Sequence, residues 1–146
     1  MNDTYIKDEL AWKLLQVAIA AKHDLMRVAE KYKLSVMQLY TLCLLDSTNS
    51  IPMNSLSSML HCDASNVTGI VDRLLLNKYI VRAENPEDRR EKMIKLTIKG
   101  TQLCIKISAE ISNFQPVNLD RLSEKQNKQL SDLLTILLSD QSVTKK

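Results

Sequence analysis

The chain has 146 residues, 45% of them hydrophobic and 4% aromatic, with a formal net charge of +3. This length suits one domain with a substantial core, and a content of two glycines and three prolines favours a mostly helical protein. The mildly basic charge permits nucleic-acid binding. The low glycine content argues against a phosphate-cradling loop. The sequence also contains no nucleophile elbow and no paired-carboxylate pattern that would indicate an enzyme.

The first predicted element is one long helix over residues 4–31, because apolar residues recur there at three- and four-residue steps. The recurring positions are Ile6, Leu10, Leu14, Val17, Ala21, Leu25 and Val28. Such a helix needs a broad partner surface, which this domain or a second subunit could supply. A second helix is predicted over residues 34–46, and Ser35 with Gln38 matches a capping box at its start.

A helix-turn-helix layout follows a polar turn over residues 47–50. Pro52 suits the first turn of a short helix over residues 53–60, and His61 with Cys62 forms the turn after it. Asp63 is a good N-cap for the next helix. A helix, a short turn and a second helix in this order are typical of DNA-binding proteins.

The helix after Asp63 has two contrasting faces. Its apolar stripe, with a 3.6-residue period, consists of Val67, Ile70, Val71, Leu74 and Leu75. Its other face is small or able to hydrogen-bond and consists of Ser65, Asn66, Thr68, Gly69, Asp72 and Arg73. Such a face suits close approach to the major groove of DNA, although an ordinary solvated helix surface explains it equally well.

A two-stranded hairpin is predicted next. Residues 79–84 and 92–97 are rich in aromatic and branched side chains, and turn formers and charges lie between them. Arg89 and Arg90 at the tip are placed to reach a phosphate backbone or a narrow minor groove. Asp88 could instead pair with Arg90 at the surface, but such pairs contribute little, so stability alone does not explain the tip.

The remainder of the chain is predicted to be helical again. Thr97 can cap a helix that Pro116 ends or bends, and Ser123 with Gln126 offers a second capping box. The first of these helices carries Leu103, Ile107 and Ile111, and the last carries Leu130, Leu133, Leu134, Leu137 and Leu138. The tail over residues 141–146 is predicted to be loose.

The stretch over residues 63–100 resembles the winged helix-turn-helix of the multiple antibiotic resistance regulator (MarR) family. The matching residues are Asp72-Arg73-Leu74, Val81-Arg82, Asp88-Arg89-Arg90, Leu96-Thr97 and Gly100. The resemblance implies a mainly α fold with a small β-hairpin wing, N- and C-terminal dimerisation helices, and a short strand at Ile51 beside the wing. The helix after Asp63 corresponds to the recognition helix of the family, which usually ends at a glycine. This chain has Lys78 at that position, so a left-handed cap must fall on Asn77 or Lys78.

The resemblance also implies a function and a division of the chain. It implies a homodimeric transcription regulator, a ligand- or stress-responsive repressor that binds a pseudo-palindromic double-stranded DNA operator. Three widely spaced cysteines, which form no disulfide framework, predict that the protein is cytoplasmic. Residues 1–33 would form an N-terminal dimerisation helix, 34–100 the DNA-binding region and 101–146 the C-terminal dimerisation helices, within one compact domain. The predicted dimer interface consists of Leu10, Leu14, Val17, Leu130, Leu133, Leu134 and Leu137.

The predicted contacts with DNA come from the helix after Asp63 and from the wing. The predicted DNA-binding residues are Ser65, Asn66, Thr68, Gly69, Arg73, Arg82, Asp88, Arg89, Arg90 and Lys92. Gly69 would allow close approach of the helix, and Arg90, oriented by Asp88, would enter the minor groove. Arg89, Arg82 and Lys92 would contact phosphates or support the wing. Arg73 could anchor a phosphate or an internal carboxylate.

The sequence contains few features of a metal site, a redox switch or a membrane span. The two histidines, His23 and His61, are far apart in sequence, so we predict neither a metal nor a cofactor. Three widely spaced cysteines form no disulfide framework and indicate reduced thiols. Cys43 and Cys104 lie on apolar faces, whereas Cys62, just before a helix N-terminus, is a candidate redox switch. No run of residues is long enough to span a membrane.

Two further hypotheses concern partners. Arg27, His23 and Tyr40 could line a cleft for a small-molecule acid, which would make an effector a third kind of partner beside DNA and a second copy of the chain. The alternative outside DNA binding is a helical protein-interaction module whose basic wing binds an acidic protein surface. Salt dependence on duplex DNA distinguishes that module from a DNA-binding protein, because phosphate contacts release counterions.

Overall fold

The computed structural model describes residues 3–112 and 119–139, with side chains described over 8–111 and 119–139. The described residues form two compact units: residues 22–112 form one, and residues 3–21 with 119–139 form the other. The predicted bend at Pro116 and the predicted loose tail over 141–146 lie outside the described residues.

The described residues are mostly helical, as predicted. The helices are α1 (Asp3–Lys31), α2 (Val36–Thr48), α3 (Leu56–Met59), α4 (Ala64–Leu76), α5 (Ile98–Ser112) and α6 (Glu124–Leu138). Short 3-10 turns cover Met53–Ser55 and Leu119–Arg121. The strands are β1 (Ser50–Pro52), β2 (Ile80–Glu84) and β3 (Lys92–Leu96).

The three strands form one antiparallel sheet in the order β1-β3-β2. Val81 is opposite Lys95 in the wing hairpin, and Ile51 is opposite Ile94 between β1 and β3. The strand at Ile51 is therefore confirmed. Ile51 and Ile94 are almost fully buried, so the apolar side of the sheet faces the core and the pairing register is fixed by that burial.

The core belongs to the unit over residues 22–112 and is centred on α2. Its fully buried apolar side chains come from α2, α3, α4, the sheet and α5: Leu39, Leu42, Leu45, Leu56, Val71, Leu74, Ile80, Ile94 and Ile107. Each such side chain stabilises the fold by about 1.5–3 kcal/mol through removal from water. The core therefore holds α3 and α4 against α2 and leaves one face of α4 in solvent.

Local capping signals set two helix starts as predicted. Ser35 Oγ accepts from the Gln38 backbone N–H at 3.2 Å, and Gln38 Oε1 accepts from the Ser35 N–H at 2.9 Å. The same reciprocal pair forms between Ser123 and Gln126 before α6. Asp63 occupies the N-cap position of α4, but its carboxylate accepts from Asn66 Nδ2 at 2.9 Å and makes no capping bond to the backbone.

Two predicted boundaries were wrong. Helix α2 continues to Thr48, so the predicted polar turn over residues 47–50 begins too early. Ser47 Oγ and Thr48 Oγ1 both donate to the Leu44 carbonyl at 2.8 Å, which satisfies the two hydroxyls within the helix. The predicted single helix over residues 53–60 is a 3-10 turn followed by the four-residue α3.

Helix α4 ends on a left-handed lysine. Lys78 has φ 60, while Asn77 stays right-handed with φ −77. The Tyr79 N–H donates to the Leu74 carbonyl at 3.0 Å and the Lys78 N–H to the Leu75 carbonyl at 2.9 Å, which is a Schellman motif. Of the two alternatives that the sequence leaves open, Lys78 takes the strained position.

Candidate nucleic-acid interface

The two faces of α4, the predicted recognition helix, are separated as the periodicity indicates. Val67, Val71 and Leu74 are buried in the core. The residues of the opposite face are all exposed: Ser65, Asn66, Thr68, Gly69, Asp72 and Arg73. The helix therefore presents a continuous surface of small and polar groups to solvent.

Hydrogen bonds order part of this exposed surface. Thr68 Oγ1 donates to the Ala64 carbonyl at 3.0 Å, which fixes its side chain along the helix while its oxygen can still accept a bond. Asn66 is held by its bond to Asp63. An ideal Cβ built on Gly69 meets nothing within 4 Å, so packing within this chain does not require glycine there. The role of Gly69 in close approach to DNA stays a prediction.

An ion pair joins the wing to α4. Arg82 on β2 donates through its guanidinium to Asp72 Oδ1 at 3.1 Å. Both side chains are about half exposed, so the pair contributes little to folding but orients the two elements. The proposed role of Arg82 in supporting the wing fits this contact. Arg73, by contrast, has no ion pair with any residue that the structure describes.

The wing tip is organised around Asp88. Its Oδ1 accepts from the Arg90 backbone N–H at 3.0 Å and lies 3.4 Å from Arg90 Nε. The Arg90 side chain is nevertheless 93% exposed, so it extends from the tip into solvent. Arg89 is also exposed. The contact fits both the predicted orientation of Arg90 by Asp88 and a surface ion pair, so the role of Arg90 in the minor groove stays a prediction.

Glu91 and its two amide partners are not among the residues predicted from the sequence. Glu91 accepts from Asn54 Nδ2 at 3.2 Å and from Asn85 Nδ2 at 2.5 Å. Asn54 belongs to the 3-10 turn before α3, while Asn85 belongs to the wing. No local pattern in the sequence indicates a bond across 37 residues, so only the folded chain reveals it.

A groove of about 410 Å³ brings the wing and the recognition helix together. The wing contributes Arg90, Glu91 and Lys92, and the helix-turn-helix contributes Met53, Asn54, Ser57, Ala64, Val67 and Thr68. Lys92 Nζ also lies 3.4 Å from Glu84 Oε1, its cross-strand neighbour. The groove therefore combines basic wing residues with the small polar edge of α4.

A second cavity of about 450 Å³ lies along another edge of α4. Its lining comes from the start of α2, the turn after α3 and α4: Ser35, Met37, Gln38, Leu60, His61, Cys62, Asn66, Gly69, Ile70 and Arg73. None of the predicted effector residues, Arg27, His23 and Tyr40, lines this cavity. Arg27 pairs with Asp24 at 3.0 Å. The hypothesis of a small-acid cleft at these residues stays a prediction.

The three cysteines are free thiols in different surroundings. Burial raises the pKa of the Cys104 thiol to about 12, and its Sγ lies 3.6 Å from the Leu42 carbonyl. Burial also raises the pKa of Cys43. Cys62 is half-buried in the turn before α4, and its role as a redox switch stays a prediction. Among the described residues, no cluster of three or more metal-ligand side chains occurs.

The predicted dimer residues belong to the unit formed by residues 3–21 and 119–139. Leu130 is half-buried, and the other six are exposed: Leu10, Leu14, Val17, Leu133, Leu134 and Leu137. Leu10 is 55% exposed and Leu137 is 59% exposed, which is a large apolar surface to leave in water. No helix in the described ranges is long and apolar enough to cross a membrane.

Comparison with known proteins places this region in a family. Residues 34–92 match the model of the MarR family. The multiple antibiotic resistance protein MarR of Salmonella typhimurium is 32% identical over 71 residues, which are 49% of each chain. The HTH-type transcriptional regulator YhbI of Bacillus subtilis is 29% identical over 83 residues, 57% of this chain and 54% of that protein. The chain thus spans about half the length of the curated relatives it matches.

Solved structures share the fold over most of the chain. Wild-type MarR from Escherichia coli superposes with a TM-score of 0.72 at 22% identity, covering 88% of this chain and 96% of that one. An E. coli MarR variant complexed with operator DNA gives 0.68 at 21% identity, covering 94% and 99%. NadR in complex with 4-hydroxyphenylacetate gives 0.78 at 23% identity, covering 88% and 91%. The match of residues 34–92 to the MarR family and the fold shared with solved MarR structures agree, so this region resembles the family and the chain has its fold.

Proposed function

We propose that this protein is a transcription regulator that binds a pseudo-palindromic DNA operator as a homodimer. The observation that carries the proposal is the groove between α4 and the wing. It is flanked by the exposed Thr68 on one side and by Arg90 and Lys92 on the other. Small polar groups beside extended cations suit a DNA backbone and the adjoining base edges.

The recognition helix supplies the contacts that distinguish bases. Ser65, Asn66 and Thr68 carry donors and acceptors of the kind that pair with base edges in the major groove. Gly69 lacks a Cβ on the same surface, so the helix backbone can approach DNA more closely there. Arg73 extends from this face and is proposed to contact a phosphate.

The wing supplies the contacts that anchor the complex. Arg90, held by Asp88, is proposed to enter the minor groove, where a narrow width strengthens the attraction for arginine. Arg89 and Lys92 are proposed to contact phosphates. Arg82 supports the wing through Asp72, so its removal would act on DNA binding through the position of the wing.

A second copy of the chain is proposed to cover the exposed leucines of α1 and α6. Burial of Leu10 and Leu137 against the same surface of a second copy would remove a large apolar area from water. Two-fold symmetry would then place the two recognition helices at half-sites about 34–36 Å apart, one turn of the duplex. A dimer seated on its operator would block access to overlapping promoter DNA, and we propose repression for that reason.

An effector is proposed to release the complex. The structural neighbour NadR holds 4-hydroxyphenylacetate, a small aromatic acid, which supports the same chemical class here. Binding of such an acid would shift the protein toward a conformation with lower DNA affinity if that conformation binds the acid more tightly.

The wing contact is tested with Arg90→Ala and a matched control, Lys106→Ala. Both substitutions remove one positive charge, and Lys106 is an exposed residue of α5 that does not line the groove. We expect Arg90→Ala to weaken operator binding by roughly ten- to a hundredfold with little change in melting temperature. Lys106→Ala should bind nearly as tightly as the wild type. Equal affinities for both variants would remove Arg90 from the proposed contact.

A further inference from the structure

We propose that Glu91 is a positioning residue that holds the wing against the helix-turn-helix so that Arg90 faces DNA. This inference rests on the proposed function. Glu91 is the last residue of the wing tip before β3, and its two carboxylate oxygens bind two different elements. Oε1 accepts from Asn54 in the 3-10 turn, and Oε2 accepts from Asn85, the first residue of the wing tip after β2.

The backbone of Glu91 also closes the tip. Its N–H donates to the Asp88 carbonyl at 2.9 Å, and its carbonyl accepts from the Asn85 N–H at 3.1 Å. Asp88 in turn binds the backbone and guanidinium of Arg90. A short series of bonds therefore connects the helix-turn-helix to the arginine that we place in the minor groove.

The charge of Glu91 opposes the proposed partner. The carboxylate lines the groove that would receive a polyanion, and Coulomb repulsion there weakens DNA binding. If Glu91 acted only through its charge, its removal would tighten the complex. If it acts by positioning, its removal weakens the complex in spite of the lost negative charge. The sign of the change therefore distinguishes the two roles.

The first experiment compares Glu91→Ala with Glu87→Ala by fluorescence anisotropy on operator DNA. Glu87 is an exposed acid of the same tip, and its backbone N–H bonds to Asn85 Oδ1, a contact that alanine keeps. We expect Glu91→Ala to bind roughly three- to tenfold more weakly, since two charge-assisted hydrogen bonds are lost. Glu87→Ala should bind as tightly as the wild type or slightly more tightly. Equal or tighter binding by Glu91→Ala would overturn the inference.

A second variant, Asn54→Ala, lies outside the wing and therefore tests the positioning role without a change in the wing itself. Asn54→Ala removes the contact to the helix-turn-helix and leaves the wing sequence and its charge intact. We expect it to weaken operator binding severalfold, by the loss of one charge-assisted bond. Unchanged affinity in a folded Asn54→Ala protein would also contradict the positioning role.

A double-mutant cycle with Arg90→Ala identifies the route of the effect. If Glu91 acts through Arg90, Glu91→Ala should change affinity less than about twofold in the Arg90→Ala background. An undiminished loss in that background would overturn the inference. The failures are separable: if Arg90→Ala itself binds normally, the proposed wing contact fails, whereas normal binding by Glu91→Ala alone rejects only the positioning role.

Discussion

The carbonyl oxygen of Tyr79 lies 2.0 Å from the point where a Cβ on Gly100 would stand. The Thr97 N–H donates to this carbonyl at 3.0 Å, and Thr97 Oγ1 accepts from the Gly100 N–H at 3.0 Å. The end of the recognition helix, the first wing strand and the start of α5 therefore meet at one junction, and glycine is required there by close backbone approach.

Gly100→Ala is expected to destabilise the protein strongly. Its methyl group would overlap a backbone oxygen that is fixed by hydrogen bonding, so relief requires the junction to open. We expect a loss of about 3 kcal/mol in the free energy of unfolding, measured by urea denaturation. A loss below about 1 kcal/mol would show that the junction relaxes easily.

Gly69→Ala is expected to have the opposite effect on stability. An added Cβ meets nothing within 4 Å, and alanine is the better helix former by about 0.5–1 kcal/mol. We expect the variant to be more stable and yet to bind operator DNA roughly three- to tenfold more weakly, because the methyl group occupies space at the reading surface. Denaturation and anisotropy measure the two quantities. Undiminished affinity would show that DNA does not approach α4 at this residue.

Lys78→Gly is expected to stabilise the fold. A lysine in the left-handed conformation destabilises the folded state by about 1 kcal/mol relative to glycine. The greater entropy of glycine in the unfolded chain partly offsets this difference. We expect a gain of about 0.5–1 kcal/mol, which raises the melting temperature by a few degrees. Asn77→Gly is the matched control: its φ of −77 gives glycine no advantage, so that variant should lose stability. A loss in Lys78→Gly would contradict the assignment of strain.

Leu134→Asp is expected to break the proposed dimer. A carboxylate placed within an apolar interface cannot keep its hydration, so association becomes unfavourable. Sedimentation should show a monomer, and operator binding should fall with it. Ile136→Asp makes the same change on the same helix at a residue outside the predicted interface. A stable dimer in Leu134→Asp would show that this face of α6 packs against something other than a second copy.

Structural features that depend on residues close together in the sequence were predicted correctly. Capping at Ser35 depends on Gln38 three residues later, and the faces of α4 depend on a periodicity that Val67, Val71 and Leu74 already display. The runs of aromatic and branched residues placed the wing strands within a residue of their observed ends. These features are local, so the sequence contains them without reference to the rest of the fold.

Features that depend on distant residues could not be predicted. Arg82 with Asp72 and Glu91 with Asn54 join elements whose separation is set by core packing, and no spacing rule indicates either contact. The left-handed cap was ambiguous for a related reason. Asparagine adopts that conformation more readily than lysine, yet Lys78 adopts it because the Schellman bonds place the reversal one residue later.

Specific recognition of DNA is tested most directly by fluorescence anisotropy of this protein with the DNA upstream of its own gene. The same measurement on scrambled duplex, at two salt concentrations, separates sequence recognition from phosphate attraction, since the latter falls steeply with salt. We expect tighter binding to the upstream DNA that persists at the higher salt. Weak binding that is equal for both duplexes and is lost at the higher salt would contradict specific recognition of that DNA, and no binding at either salt would contradict DNA binding itself.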